Sequence, residues 1–230
     1  MSGAPALVCL PSPVLGPASW NPTAAALRRL GHDVRVAKSA VAPASPSEVV
    51  GALGQQLPRH QPVVLVPHSN AGLYVPALTQ VADVAGVVFV DAGIPPGQGA
   101  VRLVPAQLDA MLVGLVDADG FLPPWTQWWD DASTLFADDD TRAAVEAEQQ
   151  RLPLAYFRST VDVPVGWAAR PCGYVAFGTT YADETRRAQA AGWPVEILAG
   201  RHLHTVVDPD EVALAIDAIL VDLGLGPPSR

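Results

Sequence analysis

The stretch that decides the fold is Val63-Val64-Leu65-Val66-Pro67-His68-Ser69-Asn70-Ala71-Gly72. An apolar run leads directly into a serine, and small residues with helical spacing follow it. This pattern is typical of a buried strand that turns sharply into a helix and lifts the serine side chain out of the sheet. The start of the helix, including the Asn70 amide, would then face whatever Ser69 attacks. A serine that only caps a helix gives the same pattern, so this stretch alone leaves both interpretations open.

Similar apolar runs recur along the chain and alternate with helical patterns. The predicted strands are residues 6–10, 33–37, 62–66, 86–90, 172–177 and 194–198. The predicted helices are residues 24–30, 45–57, 71–81 and 210–223, and Asn21 is expected to cap the first of them. Short, wholly apolar strands that alternate with helices predict an α/β protein, with a mostly parallel sheet covered by helices on both faces.

Residues 94–165 interrupt this alternation. They contain several proline-rich joints, an acidic run at 138–140 and the tryptophans Trp125, Trp128 and Trp129. Helices over 104–116 and 141–151 are plausible there, and strands are not expected. Because ligands of open α/β sheets bind at the carboxyl ends of the strands, we expect this insertion to form a helical cap over residues 1–93 and 166–230. Its tryptophans either line a substrate pocket or form the core of the cap.

Composition excludes several classes of protein. Of 230 residues, 50% are hydrophobic and 16% are charged, which is the opposite of a disordered chain. A formal charge of −9 repels phosphate backbones and anionic lipids, so no nucleic-acid or membrane partner is expected. The run after the N-terminus lacks a preceding positive charge and is soon broken by Pro11 and Pro13, so no signal peptide is expected. We therefore expect a cytoplasmic protein. Cys9 and Cys172 are expected to be buried free thiols, and a disulfide bond between them is the alternative.

Two histidines and three acids could activate the serine. His202 and His204 follow the last predicted strand, which brings them to the same edge of the sheet as Ser69. A serine needs a neighbouring base to act as a nucleophile, and an acid that accepts the imidazole proton orients that base. Asp91 ends its strand at this edge, whereas Asp183 and Glu184 begin a later helix. No third ligand accompanies the histidines, so neither a metal nor another cofactor is expected.

These features resemble the α/β-hydrolase-fold superfamily over nearly the whole chain, in the order serine, acid, histidine. The resemblance implies that Ser69 is the nucleophile, that His202, seven residues before Pro209, is the base, and that Asp91 orients it. The acid position more usual in the family falls near Thr180, where no carboxylate stands. The resemblance also implies that the Asn70 amide binds the oxyanion.

The chain departs from the family pattern in two places. The family motif is Gly-x-Ser-x-Gly, and in this chain Pro67 and Ala71 stand at the two glycine positions. The family loop that normally begins His-Gly is replaced by Ser12-Pro13-Val14. Pro13 has no N–H to donate, so a second oxyanion donor would be Val14, a water molecule or the Ser12 hydroxyl. A hydroxyl at Ser12 resembles hydroxynitrile lyases of this fold.

The sequence therefore predicts a serine hydrolase that acts on a small apolar or aromatic ester, lactone or thioester. The first alternative is a lyase, cyclase or dehydratase of a biosynthetic pathway that uses the serine and histidine for proton transfer. The second is a binding protein that has lost the chemistry. A monomer or a homodimer with a small-molecule substrate as partner is expected.

Overall fold

A six-stranded, all-parallel sheet forms the centre of the molecule. The computed structural model describes residues 4–227. The strands are β1 (Ala6–Leu10), β2 (Val34–Val36), β3 (Val63–Ser69), β4 (Val84–Ala92), β5 (Gly99–Arg102), β6 (Thr160–Val163), β7 (Cys172–Phe177) and β8 (Val195–Leu198). The order of strands in the parallel sheet is β2-β1-β3-β4-β7-β8. The predicted parallel sheet is confirmed.

Helices cover both faces of this sheet, as predicted. They are α1 (Asn21–Arg29), α2 (Pro46–Gln56), α3 (Val75–Leu78), α4 (Ala106–Val113), α5 (Asp139–Glu148), α6 (Leu154–Phe157), α7 (Ala182–Ala190), α8 (His204–Val207) and α9 (Pro209–Asp222). Successive side chains of a strand point to opposite faces, so Leu65 joins the buried cluster beneath α2 and α3 while Val64 joins the one beneath α1 and α9. Both faces are therefore apolar.

Two predicted helix boundaries are wrong. The helix predicted over 71–81 is a short 3-10 helix, Asn70–Tyr74, followed by α3. The reason is Pro76, which has no N–H to donate to the preceding turn and suits only the start of a helix. Asn21 is the first residue of α1 and not its cap; Trp20 occupies the cap position and makes no capping side-chain bond.

The expectation that 94–165 contains no strands is also wrong. β5 and β6 pair in antiparallel orientation, with Val101 opposite Val161. Thr160-Val161-Asp162-Val163 alternates exposed and buried side chains, which is the pattern of a half-buried strand. The helices α4, α5 and α6 do lie in this segment between β4 and β7. The acidic run begins α5, where the Asp138 carboxylate accepts the Thr141 N–H at 2.7 Å.

Further expectations concern the cysteines and the termini. Cys9 and Cys172 are free and buried, as predicted. None of the helices described is long and apolar enough to cross a membrane. The expectation of no signal peptide rests partly on residues 1–3, which lie outside the described residues, as do 228–230.

Candidate active site

Ser69 is the last residue of β3, and its backbone is bent sharply into the following 3-10 helix. Its dihedral angles are φ 59° and ψ −131°, a conformation that L-residues rarely adopt and that costs about 1–3 kcal/mol. The bend requires close backbone approach at Gly72, where a Cβ atom would lie 2.1 Å from the Gly93 carbonyl oxygen. The glycine that the tight turn needs is thus Gly72, and the fully buried Ala71 is compatible with the fold.

His202 lies between Ser69 and Asp91. Its Nε2 is 2.9 Å from Ser69 Oγ, and its Nδ1 is 2.6 Å from Asp91 Oδ2. Asp91 is fully buried, and its other carboxylate oxygen accepts the Phe177 N–H at 3.1 Å. Because the carboxylate accepts a hydrogen bond from the Nδ1–H, Nε2 carries no proton and is free to accept the proton of the serine hydroxyl. The loop after β8 therefore brings a base within hydrogen-bond distance of the serine.

His68, immediately before the serine, supports His202 from behind. Their rings stack with centroids 4.5 Å apart, and His68 Nε2 donates to the His202 carbonyl oxygen at 2.8 Å. Burial, with the neighbouring His202, holds the pKa of His68 well below its usual range. His68 thus stays neutral and does not repel a positive charge that forms on His202.

Among residues 4–227, none of the other sequence candidates for base or acid hydrogen-bonds Ser69 or His202. His204 hydrogen-bonds Glu211 at 2.7 Å, and Asp183 forms an exposed ion pair with Arg186. Glu184 borders the same cavity as Ser69, and burial raises the pKa of its carboxyl group. The imidazole Nδ1 of His202 bonds Asp91 and neither of the later acids.

The side chain of Asn70 is fixed on both sides. Its Nδ2 donates to the Leu103 carbonyl oxygen at 2.8 Å, and its Oδ1 accepts the Tyr74 hydroxyl at 2.7 Å. Tyr74 in turn bonds the hydroxyl of Tyr156 in α6. The backbone N–H of Asn70 is the first of its helix and has no partner within it. It is therefore available to an anion formed at Ser69.

Val14 offers a second donor. Within residues 4–227 its N–H makes no hydrogen bond, and the residue borders the cavity above Ser69. The carbonyl oxygen of Pro13, in the same peptide group, accepts Gln150 Nε2 at 3.2 Å. Since C=O and N–H point in opposite directions in a trans peptide, Gln150 fixes the direction of the Val14 N–H.

A cavity of about 1380 Å³ opens above Ser69 and His202. All of the residues predicted from the sequence to line a substrate pocket border it: Ser12, Trp125, Trp128 and Trp129. The Trp125 ring lies 5.7 Å from the His202 ring, and 41% of Trp129 is exposed. This volume exceeds the roughly 300–1,000 Å³ of ordinary ligand pockets.

Sequence reasoning missed several residues of this site. Tyr181 approaches Ser69, Gln150 holds the loop after β1, and the Tyr74–Tyr156 pair fixes Asn70. Tyr181, Gln150 and Tyr156 reach the site through contacts between distant parts of the chain, whereas Tyr74 lies four residues from Asn70. No local motif marks any of them.

No protein-family model matches the chain, and no curated protein matches it either. Solved structures do. An extracellular α/β-hydrolase from a Paenibacillus species, described as sharing structural and functional homology with tobacco salicylic acid binding protein 2, is 19% identical with a TM-score of 0.73, covering 94% of this chain and 99% of that one. Tomato methylketone synthase I, complexed with beta-ketoheptanoate, is 14% identical with a TM-score of 0.75, covering 96% and 98%. Polyneuridine aldehyde esterase is 15% identical with a TM-score of 0.70, covering 93% and 99%.

Proposed function

Because this chain has the α/β-hydrolase fold, we propose that it is a serine hydrolase with Ser69 as nucleophile, His202 as base and Asp91 as the acid that orients the base. The observation that carries the proposal is the continuous hydrogen-bonded series Ser69 Oγ, His202 Nε2 and Nδ1, Asp91 Oδ2, with distances of 2.9 and 2.6 Å. The fold alone requires none of these three side chains.

In the proposed reaction Ser69 Oγ attacks the carbonyl carbon of the substrate while His202 Nε2 takes the hydroxyl proton. The negative charge that forms on the carbonyl oxygen is bound by the N–H of Asn70 and that of Val14. Each such donor contributes roughly 100- to 1,000-fold to acyl transfer. Asp91 stabilises the imidazolium, which then protonates the leaving group, and water releases the acyl group by the same steps.

The walls of the cavity support the proposed substrate class. Trp125, Trp128 and Trp129 come from the insertion and border the same space as Ser69. Aromatic side chains of this kind suit an apolar or aromatic ester, lactone or thioester. In this proposal the segment 94–165 acts as a cap that excludes water from the site.

A second candidate is a lyase, cyclase or dehydratase in which Ser69 and His202 transfer protons without an acyl-enzyme. The observation that favours it is the loop Ser12-Pro13-Val14, where a hydroxyl borders the cavity and proline contributes no N–H. Proton transfer depends less on the oxyanion donors than acyl transfer does. Two of the similar structures carry the names of an esterase and a synthase, so both kinds of name occur among proteins of this shape.

The first experiment combines fluorophosphonate labelling with hydrolysis of aryl acetates. We expect wild-type protein to be labelled and to turn over, and Ser69→Ala and His202→Gln to lose both activities. His204→Gln is the matched control, because His204 hydrogen-bonds Glu211 outside the series; it should retain both.

Folded wild-type protein that is neither labelled nor active would contradict the hydrolase. If a candidate substrate is then converted by the wild type and not by Ser69→Ala, without uptake of solvent oxygen, the lyase or cyclase is favoured. If the wild type has no activity, and Ser69→Ala binds the same ligand as the wild type does, a binding protein is favoured.

A further inference from the structure

Tyr181 brings a second hydroxyl to the serine. Its Oη lies 3.5 Å from Ser69 Oγ, and its ring lies 5.7 Å from the His202 ring at an interplanar angle of 33°. The Ser69 hydroxyl already donates its hydrogen bond to His202 Nε2, so the Tyr181 hydroxyl can only donate toward Ser69 Oγ. Among residues 4–227 the Tyr181 hydroxyl makes no other hydrogen bond. Its proton is therefore available at the reacting centre.

The position of Tyr181 separates it from the oxyanion donors. It follows β7, whereas Val14 follows β1, and these strands lie on opposite sides of β3 in the sheet. Tyr181 contacts His202, the group that must deliver a proton to the departing oxygen. Because His202 must protonate the leaving oxygen, a hydroxyl whose ring lies against His202 is suited to reach that oxygen and not the carbonyl oxygen.

Tyr181 also stays protonated at neutral pH. Burial raises the pKa of its phenol, and the negative charge of Asp91 adds to that effect. A neutral phenol is a hydrogen-bond donor, so its chemistry complements the negative charge that appears on a leaving oxygen.

We propose that Tyr181 is a further catalytic residue, whose hydroxyl donates a hydrogen bond to the leaving-group oxygen as the tetrahedral intermediate collapses. This role rests on the proposed hydrolase function and deepens it. The carbon–oxygen bond to Ser69 has formed, and the carbon–oxygen bond to the leaving group breaks. His202 returns the proton that it took from Ser69 to the leaving oxygen, and Tyr181 keeps its own proton throughout. Poor leaving groups, such as alkyl alcohols, need this donor most because their basic oxygens cannot delocalise the negative charge that develops as the bond breaks.

The test varies the leaving group at constant acyl group in wild type and Tyr181→Phe, which keeps the ring against His202. For alkyl acetates we expect kcat/KM to fall about 10- to 100-fold, the loss of one hydrogen bond to a charged group. For p-nitrophenyl acetate we expect less than about 3-fold, since its oxygen leaves without help. Thr180→Val is the matched control, because it removes a hydroxyl from the same loop and cavity wall. It should alter neither value.

Labelling of Ser69 by a fluorophosphonate checks the folded site in Tyr181→Phe. Fluoride departs without a proton, so the labelling rate should stay within about 3-fold of wild type. Equal losses on alkyl and p-nitrophenyl acetates, or loss of labelling, would show that Tyr181 only supports the position of Ser69 or His202 and would overturn this role alone. No Ser69-dependent hydrolysis by the wild type would overturn the proposed function, and this role with it.

Discussion

The substitution Asp91→Asn examines the hydrogen-bonded series at its buried end. Asn is nearly isosteric with Asp, and one oxygen of Asp91 accepts the Phe177 N–H at 3.1 Å. The amide oxygen of Asn will occupy that position, because only an oxygen can accept a backbone N–H. Its NH₂ group then faces His202 Nδ1 and donates to it, which moves the imidazole proton to Nε2. In that tautomer Nε2 cannot take the proton of Ser69.

The size of the effect follows from that tautomer. A wrong tautomer in an otherwise intact series lowers kcat by about 10⁴-fold, equivalent to about 5.5 kcal/mol of transition-state stabilisation. Stability should change little, because no cavity forms and the new amide has partners on both sides. The assay is hydrolysis of an aryl acetate, with thermal unfolding to compare stability.

Two further acids serve as controls. Asp183→Asn removes an exposed carboxylate paired with Arg186, and Glu184→Gln neutralises a half-buried one that borders the cavity. Both variants should stay within a few-fold of wild type. The reasoning is refuted if Asp91→Asn retains activity, or if Glu184→Gln loses as much as Asp91→Asn does.

Two other predictions concern folding. Gly72→Ala should lower the free energy of unfolding in urea by about 3 kcal/mol or more. The new Cβ would lie 2.1 Å from the Gly93 carbonyl oxygen, which is a backbone atom and cannot rotate out of the way. Gly51 lies inside α2, and nothing lies within 4 Å of a Cβ added there, so Gly51→Ala should raise the free energy of unfolding by about 0.5–1 kcal/mol. A Gly72→Ala variant more stable than Gly51→Ala would contradict the argument that Gly72 is needed for close backbone approach. Burial raises the pKa of Cys9 and of Cys172 to about 12 from 9.0, so neither thiol should react with a disulfide reagent at pH 8 until the protein unfolds. Because the unfolded thiols ionise first and the folded ones stay protonated, unfolding free energy should fall as pH rises from 9 toward 12, and less so in Cys9→Ala.

The sheet was predictable because its strands are buried on both faces. Val63 to Val66 and Val87 to Val90 are continuous apolar runs, and such runs between turn residues identify parallel strands without an alignment. The carboxyl ends of parallel strands meet at one edge, so Ser69, Asp91 and His202 were expected near one another. Their side chains do lie within hydrogen-bond distance, and their catalytic roles stay a prediction.

The missed features depend on contacts that no local pattern encodes. β5 and β6 are four residues each and pair across a separation of about 60 residues, so neither is recognisable without its partner. Tyr181 approaches Ser69 across 112 positions of sequence, and a tyrosine after a strand has no distinctive signature. The prediction of one helix over 71–81 fails because the helical spacing of apolar residues continues past Pro76, which suits only the start of a helix.

Gln150 has a consequence for the evolution of substrate range. Its side chain donates to the carbonyl oxygens of Pro13 and Ala40 and accepts the N–H of Ala42, so the inserted segment is attached to the loops after β1 and β2. The insertion is therefore not an interchangeable module. A chimaera that exchanges it for the insertion of a relative must keep a carboxamide at this position, or the peptide group that carries the Val14 N–H loses its anchor. Substitutions can accumulate at the tryptophans, which border the cavity, while Gln150 keeps the loops after β1 and β2 in place.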